Sequence, residues 1–301
     1  TRMKSRRSKV LHQVSGKAMI EHVYEALAGL GLARLITVVG HLGEEVRSFV
    51  QGRSETVVQE EQLGTAHAVL QAGPLLAHEP GVTLVLCGDT PLVRGKTLEM
   101  ALQWHLERGA AVTLITTRME NPQGYGRVLR DAQGGFQAVV EEKDAGQREK
   151  AITEVNTGVY CFDNQKLFQA LPQVGNSNAQ GEYYLPEVLK VLQGQGERVE
   201  TFFAPDWTEF LGVNDRVQLA EAERLMQERI RRRHMENGVT LVDPSATYIE
   251  AGVSIAPDTV IYPGTVLRGA CQIGEGCILG PQADLTDVVL AEGVRVSYSV
   301  L

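Results

Sequence analysis

The chain has 301 residues, of which 43% are hydrophobic and 22% are charged, and its formal net charge is -8. This length favours two domains over one, and the hydrophobic share is sufficient for packed cores. The acidic balance argues against a general nucleic-acid surface, although five of the first nine residues are basic. No apolar run approaches the roughly 20 residues that cross a bilayer, so the sequence predicts no membrane partner. Because of the acidic balance, it predicts no nucleic-acid partner either.

From residue 16 to about 212, apolar β-rich runs alternate with amphipathic helical patterns. The predicted helices cover residues 16–30, 65–76 and 95–108. The predicted strands cover residues 35–40, 56–59, 82–89, 111–117, 126–131, 136–142 and 156–162. This alternation predicts an α/β domain with a Rossmann-like, mostly parallel sheet covered on both faces. Ligands of such sheets bind beyond the carboxyl ends of the strands, so we expect functional residues in the turns that follow.

Two of these turns carry residues that suit a nucleotide. The strand at 82–89 runs directly into Gly88 and Asp89, which places a carboxylate where Mg2+ could bind it together with phosphate oxygens. Asp89 could equally begin an ordinary turn. After the strand at 56–59, Gly64 and Thr65 open a predicted helix that Thr65 can cap, and backbone N–H groups there suit a phosphate or a base edge. The same pair is also simply a good helix start.

A third group of turns contains Gly126, Glu141 and Asn156. A backbone that allows close approach, a carboxylate acceptor and an amide together suit a hydroxyl-rich ligand. Each of the three could also be an ordinary turn or surface residue. The sequence therefore predicts a polar ligand here without excluding a purely structural role.

The histidines and cysteines give no support for a zinc site or for covalent acyl-enzyme chemistry. The seven histidines show no HExxH spacing, and no GxSxG motif occurs. The cysteines, which form no CxxC pair, are Cys87, Cys161, Cys271 and Cys277. We expect all of them to be buried free thiols in a reducing cytosol.

The sequence pattern changes twice after residue 213. Residues 214–238 form a strongly charged segment that predicts one long connecting helix ending at Gly238. Beyond it, aliphatic residues recur every six positions, and each is preceded two positions earlier by a small or β-branched residue. The aliphatic positions are Ile249, Ile255, Ile261, Leu267, Ile273, Leu279 and Leu285. Seven such residues in one register predict a parallel β-helix of hexapeptide repeats.

Nine motifs, in order, resemble those of one enzyme family. They are TRM, SKVLHQVSGKAMIEHV, QEEQLGTAHA, LCGDTPL, GYGRV, VEEKDA, VNTGVY, NAQGEYYLPEVL and GVNDRVQLAEAE. The family is that of the bacterial bifunctional UDP-N-acetylglucosamine pyrophosphorylases and glucosamine-1-phosphate N-acetyltransferases. The resemblance runs the length of the chain. It implies a nucleotidyltransferase domain at 1–213, a linker helix at 214–238 and the start of a left-handed β-helix, belonging to the acetyltransferase domain, at 239–301.

The resemblance also implies roles for individual residues at the nucleotide end of the site. Arg2 and Lys9 match basic residues that face the nucleotide phosphates and stabilise charge during the reaction. Gln59, Gly64 and Thr65 match the uridine-binding segment. Cys87, Gly88 and Asp89 match the segment that holds nucleotide and metal, and Asn214 matches the second ligand of Mg2+. Two positions depart from the family pattern, since Cys87 stands where Tyr is more frequent and Ser8 stands where Pro is usual.

For the sugar end of the site, the resemblance implies that Gly126, Glu141 and Asn156 contact N-acetylglucosamine. The implied reaction is a direct displacement, in which N-acetylglucosamine 1-phosphate attacks the α-phosphorus of UTP and yields UDP-N-acetylglucosamine and pyrophosphate. No general base is required because the attacking phosphate is already ionised. The product is a precursor of peptidoglycan and lipopolysaccharide, and the resemblance implies a cytoplasmic homotrimer assembled through the β-helix.

Some elements of the family pattern are not found in this sequence. The first strand with its LAAGxG loop and most of the repeats are missing, including those that bind acetyl-CoA. We therefore expect the chain to be a fragment of a longer protein whose acetyltransferase site lies outside it.

Two alternatives remain open at this stage. The first is another sugar-1-phosphate nucleotidyltransferase, such as an adenylyl- or thymidylyltransferase. The second is a non-catalytic repeat scaffold, although a scaffold has no need of Lys9, Asp89 and Asn214 together.

Overall fold

The computed structural model describes residues 3–40 and 43–301. The chain divides into two compact units, each formed from separate stretches of sequence. The coil unit comprises Thr1–Val23, Asp89–Leu92 and Leu211–Leu301, and the sheet unit comprises Tyr24–Gly88 and Val93–Phe210. The N-terminal segment therefore shares a compact unit with the C-terminal repeats, a grouping that the order of sequence patterns does not predict.

Some helices of the described residues follow the predicted segments, whereas those at 44–50, 147–150, 164–170 and 187–194 were not predicted. The described helices are α1 (Met19–Leu27), α2 (Glu44–Val50), α3 (Thr65–Leu70), α4 (Gly73–Leu76), α5 (Gly95–Arg108), α6 (Gln147–Lys150), α7 (Asn164–Ala170), α8 (Glu187–Gly194) and α9 (Arg216–Glu236). The predicted helix at 65–76 is two helices, because Pro74 lacks an N–H and cannot continue α3. Helix α5 has the predicted bounds and ends at Gly109, whose left-handed φ of 53° suits a helix end.

Seven of the strands described before residue 211 lie close to the predicted runs, whereas those at 13–14, 17–18 and 199–203 were not predicted, and residues 17–18 fall within the predicted helix at 16–30. The described strands are β1 (Gln13–Val14), β2 (Lys17–Ala18), β3 (Ile36–Gly40), β4 (Glu55–Gln59), β5 (Val82–Val85), β6 (Val112–Arg118), β7 (Arg127–Arg130), β8 (Phe136–Val140), β9 (Glu154–Asp163) and β10 (Val199–Phe203). Strands β1 and β2 form a short antiparallel hairpin, and β3 pairs with β4 in parallel. Strand β5 ends earlier than predicted, so residues 86–89 are free of the ladder and available for a turn.

The larger sheet of the sheet unit has the order β10-β6-β9-β7-β8, with β5 also paired to β9. Strands β10 and β6 are parallel, whereas β9 runs antiparallel to β5, β6 and β7. Over the whole described chain, including the C-terminal coils, parallel strand pairs predominate. This sheet, however, contains both parallel and antiparallel pairs, whereas the sequence predicted a mostly parallel sheet. The reason is that β7 and β8 are joined by a short turn, which reverses the chain direction and prevents a helical crossover.

Strand β9 has an irregularity in its pairing with β6. Leu114 faces Tyr160, and Thr116 faces Asn156, so a step of two residues in β6 matches a step of four in β9. Gly158 lies within the extra stretch and has a φ of 79°, a value that few side chains tolerate. Bulges of this kind change the direction in which neighbouring side chains point, and they are frequent beside functional sites.

The repeats of the coil unit form three parallel sheets that run along the coils. Their strands are β11 (Thr240–Leu241), β12 (Thr247–Ile249), β13 (Ser254–Ile255), β14 (Val260–Ile261), β15 (Thr265–Arg268), β16 (Gln272–Ile273), β17 (Ile278–Leu279), β18 (Asp284–Thr286), β19 (Val289–Leu290) and β20 (Arg295–Val296). Strand partners such as Thr247 and Thr265 are three hexapeptides apart, which is one coil. The C-terminal strands thus form parallel β-helix coils, as the repeat predicts.

The predicted repeat positions point into these coils. Ile249, Ile261 and Leu267 are fully buried, as are the small residues Thr259 and Thr265 that precede inward positions. The pairing of Gln272 with Val289 shortens the last coil by one residue, so Leu290 and Val296 pack against the core instead of the next six-residue positions. None of the helices in the described ranges is both long and apolar enough to span a membrane.

Candidate functional site

Three predicted residues come together in the coil unit. The Lys9 ammonium donates a hydrogen bond to Asp89 Oδ2 and another, at 3.0 Å, to Asn214 Oδ1. The side chains of Lys9 and Asp89 are 34% and 20% exposed, so this group is partly buried and still open to solvent. We call Lys9, Asp89 and Asn214 the ammonium cluster.

Local structure fixes each residue of the ammonium cluster. Lys9 begins a 3₁₀ turn, and Asp89 lies in the turn that follows β5. The Val213 N–H donates to the Asp89 carbonyl at 3.0 Å, which holds the segment before α9 beside that turn. The Asn214 N–H donates to Gln218 Oε1 at 2.8 Å, so Asn214 is anchored to the first turn of α9.

Apolar packing supports the same arrangement from behind. Val14, Met19 and Leu92 are fully buried and share a cluster with Val213 and Ala222. The cluster therefore joins the hairpin, the stretch after Asp89 and helix α9 in one packed group. Val213 directly precedes Asn214, and Leu92 follows Asp89 by three positions, so this packing anchors both segments that carry the polar side chains.

Asp89 and Asn214 direct their oxygens at one cationic group, the Lys9 ammonium, and the same two oxygens could bind a divalent cation in place of it. Carboxylate and amide oxygens are the ligands that such hard cations prefer. Within residues 3–40 and 43–301, no group of three or more His, Cys, Asp and Glu side chains could hold a metal alone. A metal bound by Asp89 and Asn214 would therefore take its remaining oxygens from water or from a bound ligand.

A second group of predicted residues lies in the sheet unit, beside the bulge of β9. Asn156 Oδ1 accepts hydrogen bonds from the Gly158 N–H at 2.8 Å and from the Tyr160 hydroxyl at 2.9 Å. The Asn156 amide in turn donates to Glu141. We call Glu141, Asn156 and Tyr160 the amide cluster.

Burial dominates the electrostatics of the amide cluster. Burial raises the pKa of Glu141, and the hydrogen bond from Asn156 lowers it by a smaller amount. Burial also raises the pKa of Tyr160 far above its ordinary value, and the charge of Glu141 adds to this effect. The Tyr160 hydroxyl therefore remains a protonated donor at every physiological pH.

Gly126 completes this region by leaving room for Glu141. The Asn156 N–H donates to the Gly126 carbonyl at 2.9 Å. A methyl group on Gly126 would lie 2.9 Å from Glu141 Oε1 and 3.0 Å from Val139 Cγ1, so a larger residue would push the carboxylate away. The sequence predicted close approach of a ligand here, and the structure shows close approach of Glu141.

The residues predicted to bind a nucleotide base lie in a turn of the sheet unit, and hydrogen bonds to backbone atoms hold this turn together. Gln59 Nε2 donates to the Gly64 carbonyl at 3.0 Å, and Gly64 has a φ of 116°. A side chain at Gly64 would lie 2.5 Å from the Tyr183 carbonyl oxygen, so only glycine fits. The Ala66 N–H and the Tyr183 carbonyl pair at 2.9 Å, which fixes the turn against the segment before α8.

The prediction that Thr65 caps helix α3 is wrong. Gly64 occupies the cap position, and Thr65 is the first helical residue. The Thr65 hydroxyl instead accepts a hydrogen bond from the Leu185 N–H at 2.9 Å. The hydroxyl therefore ties two segments together, because its place inside the helix prevents it from reaching the capping N–H groups.

Cys87 is exposed, whereas Cys161, Cys271 and Cys277 are buried free thiols. The expectation that all the cysteines are buried is therefore wrong for Cys87, because β5 ends at Val85 and the thiol lies in the following turn. A side chain on Gly158 would lie 3.4 Å from Cys87 Sγ, so the thiol lies beside the bulge of β9. Gly88 follows in the same turn and precedes Asp89.

Arg2 lies outside the described residues, so the structure gives no position for it. Sequence reasoning missed Tyr160, a member of the amide cluster, and Gly158, which lies beside it. A glycine within a strand pattern is a signal for a bulge, and Tyr160 follows Asn156 by four positions in the same strand, so both signals were present.

Comparison with known proteins gives a family match over most of the chain. A family model described as nucleotidyl transferase matches residues 3–213. The chain is 52% identical over 300 residues to the "Bifunctional protein GlmU" of Geobacillus sp. (strain WCH70), covering all of this chain and 65% of that protein. It is 50% identical over 301 residues to the protein of the same name from Bacillus velezensis, covering all of this chain and 66% of that protein. The chain thus spans slightly under two thirds of these relatives.

A solved structure shares the fold at lower identity. It is described as CMP:2-keto-3-deoxy-manno-octonic acid synthetase complexed with CTP, and it matches with a TM-score of 0.53 at 20% identity. The match covers 76% of this chain and 96% of that chain. At this identity the likeness supports the α/β nucleotidyltransferase fold and nothing about the ligand.

Proposed function

Because the chain belongs to the nucleotidyl transferase family, we propose that it transfers a uridylyl group from UTP to N-acetylglucosamine 1-phosphate. The products are UDP-N-acetylglucosamine and pyrophosphate. The observation that carries this proposal is the ammonium cluster, in which a lysine, a carboxylate and an amide from distant parts of the chain converge on one point. The similarity to bifunctional proteins named GlmU supports the choice of substrates.

The proposed reaction needs positioning and charge neutralisation more than covalent help from the protein. An oxygen of the sugar phosphate attacks the α-phosphorus of UTP, the bond from that phosphorus to the β-phosphate bridging oxygen breaks, and pyrophosphate leaves. In this scheme Lys9 and Arg2 bind the phosphates and stabilise the charge that develops. The attacking phosphate is ionised at neutral pH, so no side chain has to accept a proton.

Family membership implies a divalent metal ion in general, and we propose that the ion is Mg2+ held by Asp89 and Asn214. Their oxygens suit Mg2+, which commonly combines one or two protein oxygens with phosphate oxygens and water. The bound ion supplies positive charge beside the nucleotide phosphates. The protein's own contribution is to present the two oxygens on a rigid support, as the packing of Val213 behind Asn214 favours.

We assign the remaining predicted residues to the two ends of the nucleotide sugar. Gln59, Gly64 and Thr65 bind the uridine, together with the Cys87 and Gly88 turn. Gly126, Glu141 and Asn156 bind N-acetylglucosamine. The pair formed by the half-buried Glu141 acceptor and the buried Asn156 donor supports this assignment, because sugar hydroxyl and acetamido groups offer matching donors and acceptors.

The larger protein implied by the relatives' length and name has further proposed properties. We propose a nucleotidyltransferase domain at 1–213, a linker helix at 214–238 and, from 239, the start of an acetyltransferase domain whose coils are left-handed. We also propose that the whole protein uses acetyl-CoA, at residues outside this chain, to acetylate glucosamine 1-phosphate. A cytoplasmic homotrimer, assembled through the coils, completes the proposal, and sedimentation of the full-length protein would detect it.

Pyrophosphate release by the full-length protein tests the proposed reaction. UTP, ATP and dTTP are each offered with N-acetylglucosamine 1-phosphate and with glucose 1-phosphate. We expect the highest kcat/KM for UTP with N-acetylglucosamine 1-phosphate. A clear preference for ATP or dTTP with glucose 1-phosphate would replace the proposal with another sugar nucleotidyltransferase, and no turnover with any pair would favour a scaffold.

A further inference from the structure

We propose that Tyr160 is a positioning residue that fixes the Asn156 amide and so determines how tightly the protein binds the sugar phosphate. The inference rests on the proposed function, since it assumes that Asn156 contacts that substrate. Tyr160 itself is 2% exposed and acts through Asn156. The structure assigns this role through one buried hydrogen bond.

The amide of Asn156 needs such a constraint because its terminal torsion is intrinsically loose. The Gly158 N–H, 2.8 Å from Oδ1, decides which end of the amide carries the oxygen. A single hydrogen bond still lets the amide plane rotate. The Tyr160 hydroxyl, 2.9 Å from the same oxygen, adds a second donor and fixes the plane.

The Tyr160 hydroxyl is suited to this task because its ring is held rigidly. Tyr160 lies in β9 opposite Val85 of β5 and Leu114 of β6, in the middle of the sheet. Its ring stacks on that of Phe162, with centroids 5.5 Å apart and an interplanar angle of 22°. The two neighbouring strands and the stacked ring therefore hold the Tyr160 ring, and with it the hydroxyl, in place.

The fixed amide has a definite chemical consequence. With Oδ1 occupied by two donors, Asn156 presents only N–H groups, and one of them faces Glu141. A ligand that reaches this cluster must then offer an acceptor to Asn156 and a donor to the Glu141 carboxylate. Adjacent oxygen and N–H or O–H groups of an N-acetylated sugar meet that requirement, whereas the phosphates of UTP do not.

The first experiment compares Tyr160→Phe with the wild-type full-length protein in steady-state pyrophosphate release. Leaving a buried acceptor with one donor fewer should raise the KM for N-acetylglucosamine 1-phosphate about tenfold. The KM for UTP should stay within about twofold, because the nucleotide does not depend on this amide. Tyr24→Phe is the matched control, since its hydroxyl is also hydrogen bonded, to Thr37 and Ser54, in the same unit.

A double-mutant cycle separates positioning from a general effect on folding. In an Asn156→Ala background, Tyr160→Phe should produce no further rise in the sugar phosphate KM. An equal rise in both backgrounds, or a sugar phosphate KM in Tyr160→Phe equal to that of wild type, would overturn the inference. A wild-type protein without turnover would instead overturn the proposed function.

A second variant covers the case in which Tyr160→Phe does not fold. Asn156→Asp keeps the shape of the side chain but turns an oxygen, instead of an N–H, towards Glu141. Calorimetric titration with N-acetylglucosamine 1-phosphate should show at least a thirtyfold loss of affinity. This is about the effect of leaving one buried polar group without its hydrogen-bond partner. Unchanged affinity would mean that the amide orientation is irrelevant, and the inference would fail.

Discussion

The ammonium cluster and the amide cluster are both built from hydrogen-bonded polar side chains, but the protein assembles them in different ways. Lys9 reaches Asp89 and Asn214 across 80 and 205 positions of sequence, with a long side chain that is still partly exposed. Asn156 and Tyr160 are four positions apart in one strand, and their hydrogen bond is buried. One cluster is therefore adjustable and carries charges of both signs, and the other is rigid and carries the single carboxyl group of Glu141.

This difference indicates what each cluster contributes. Exposed or partly exposed ion pairs add little to stability, so we expect the ammonium cluster to matter for ligand binding more than for folding. Buried polar groups that lose a partner are costly, so we expect the amide cluster to contribute both to folding and to recognition. Substitutions in the ammonium cluster should therefore change turnover without changing stability. Substitutions in the amide cluster should change both turnover and stability.

The largest effect is expected for Asp89→Asn. The substitution keeps the shape of the side chain but removes the charge that we assign to the metal, and turnover should fall roughly a thousandfold. The free energy of unfolding should change by less than about 1 kcal/mol, because the ion pair is partly exposed. Urea unfolding and pyrophosphate release measure the two quantities.

Asp131→Asn is the matched control for this substitution. Asp131 accepts hydrogen bonds from the Gln133 and Gly135 N–H groups in an exposed turn, and its variant should retain full turnover. If Asp89→Asn kept more than a tenth of the wild-type rate, the assignment of Asp89 to the metal would have to be abandoned.

Lys9→Met should be the next most severe change. The flexible ammonium is replaced by an apolar chain of similar length, and kcat/KM for UTP should fall roughly a hundredfold through lost stabilisation of phosphate charge. Lys4→Met removes the same charge from an exposed residue of the same segment, and the loss there should be no more than about twofold. Equal losses in the two variants would show that only the overall charge of the segment matters.

The two clusters also differ in how much of them the sequence predicts. Lys9, Asp89 and Asn214 were identified from separate motifs, and the repeat register identified the inward residues from Ile249 onwards, because both signals are local. The contact between Lys9 and Asp89 depends on tertiary packing, which no motif encodes. The role of Tyr160 depends on a bulge in β9 and on the antiparallel direction of that strand, and the alternation of helices and strands pointed to a parallel one.

A pH experiment distinguishes the buried cluster from ordinary surface ion pairs. Burial raises the pKa of Glu141 in the folded protein. The unfolded chain then releases its proton at a lower pH than the folded protein, so the free energy of unfolding should fall as the pH rises through the folded pKa. Glu141→Gln should remove this dependence and be more stable than wild type at the higher pH, while its sugar phosphate KM rises. Urea unfolding between about pH 4 and pH 8 measures the effect.

Glu154→Gln provides the opposite sign in the same unit. Burial alone would raise the pKa of Glu154, but the hydrogen-bonded ion pair with Arg130 outweighs it and lowers the pKa. The stability that Glu154 contributes is therefore present at higher pH and is lost as the pH falls through the folded pKa. If both variants changed the pH dependence in the same direction, the electrostatic contrast between these carboxylates would be wrong.

The smallest expected effect is on the reactivity of the thiols, and it can be measured without an activity assay. Cys87 is exposed, whereas Cys161, Cys271 and Cys277 are buried, and burial raises the pKa of Cys161 to about 12. Only a thiolate reacts quickly, so a disulfide reagent at about pH 8 should modify one thiol per chain quickly and the others only after unfolding. Cys87→Ala should abolish the fast phase, and two or more fast thiols in the wild type would contradict the packing of the buried ones.

Because Cys87 lies beside the bulge that carries the amide cluster, saturating N-acetylglucosamine 1-phosphate should slow its modification, whereas Mg2+ alone should not.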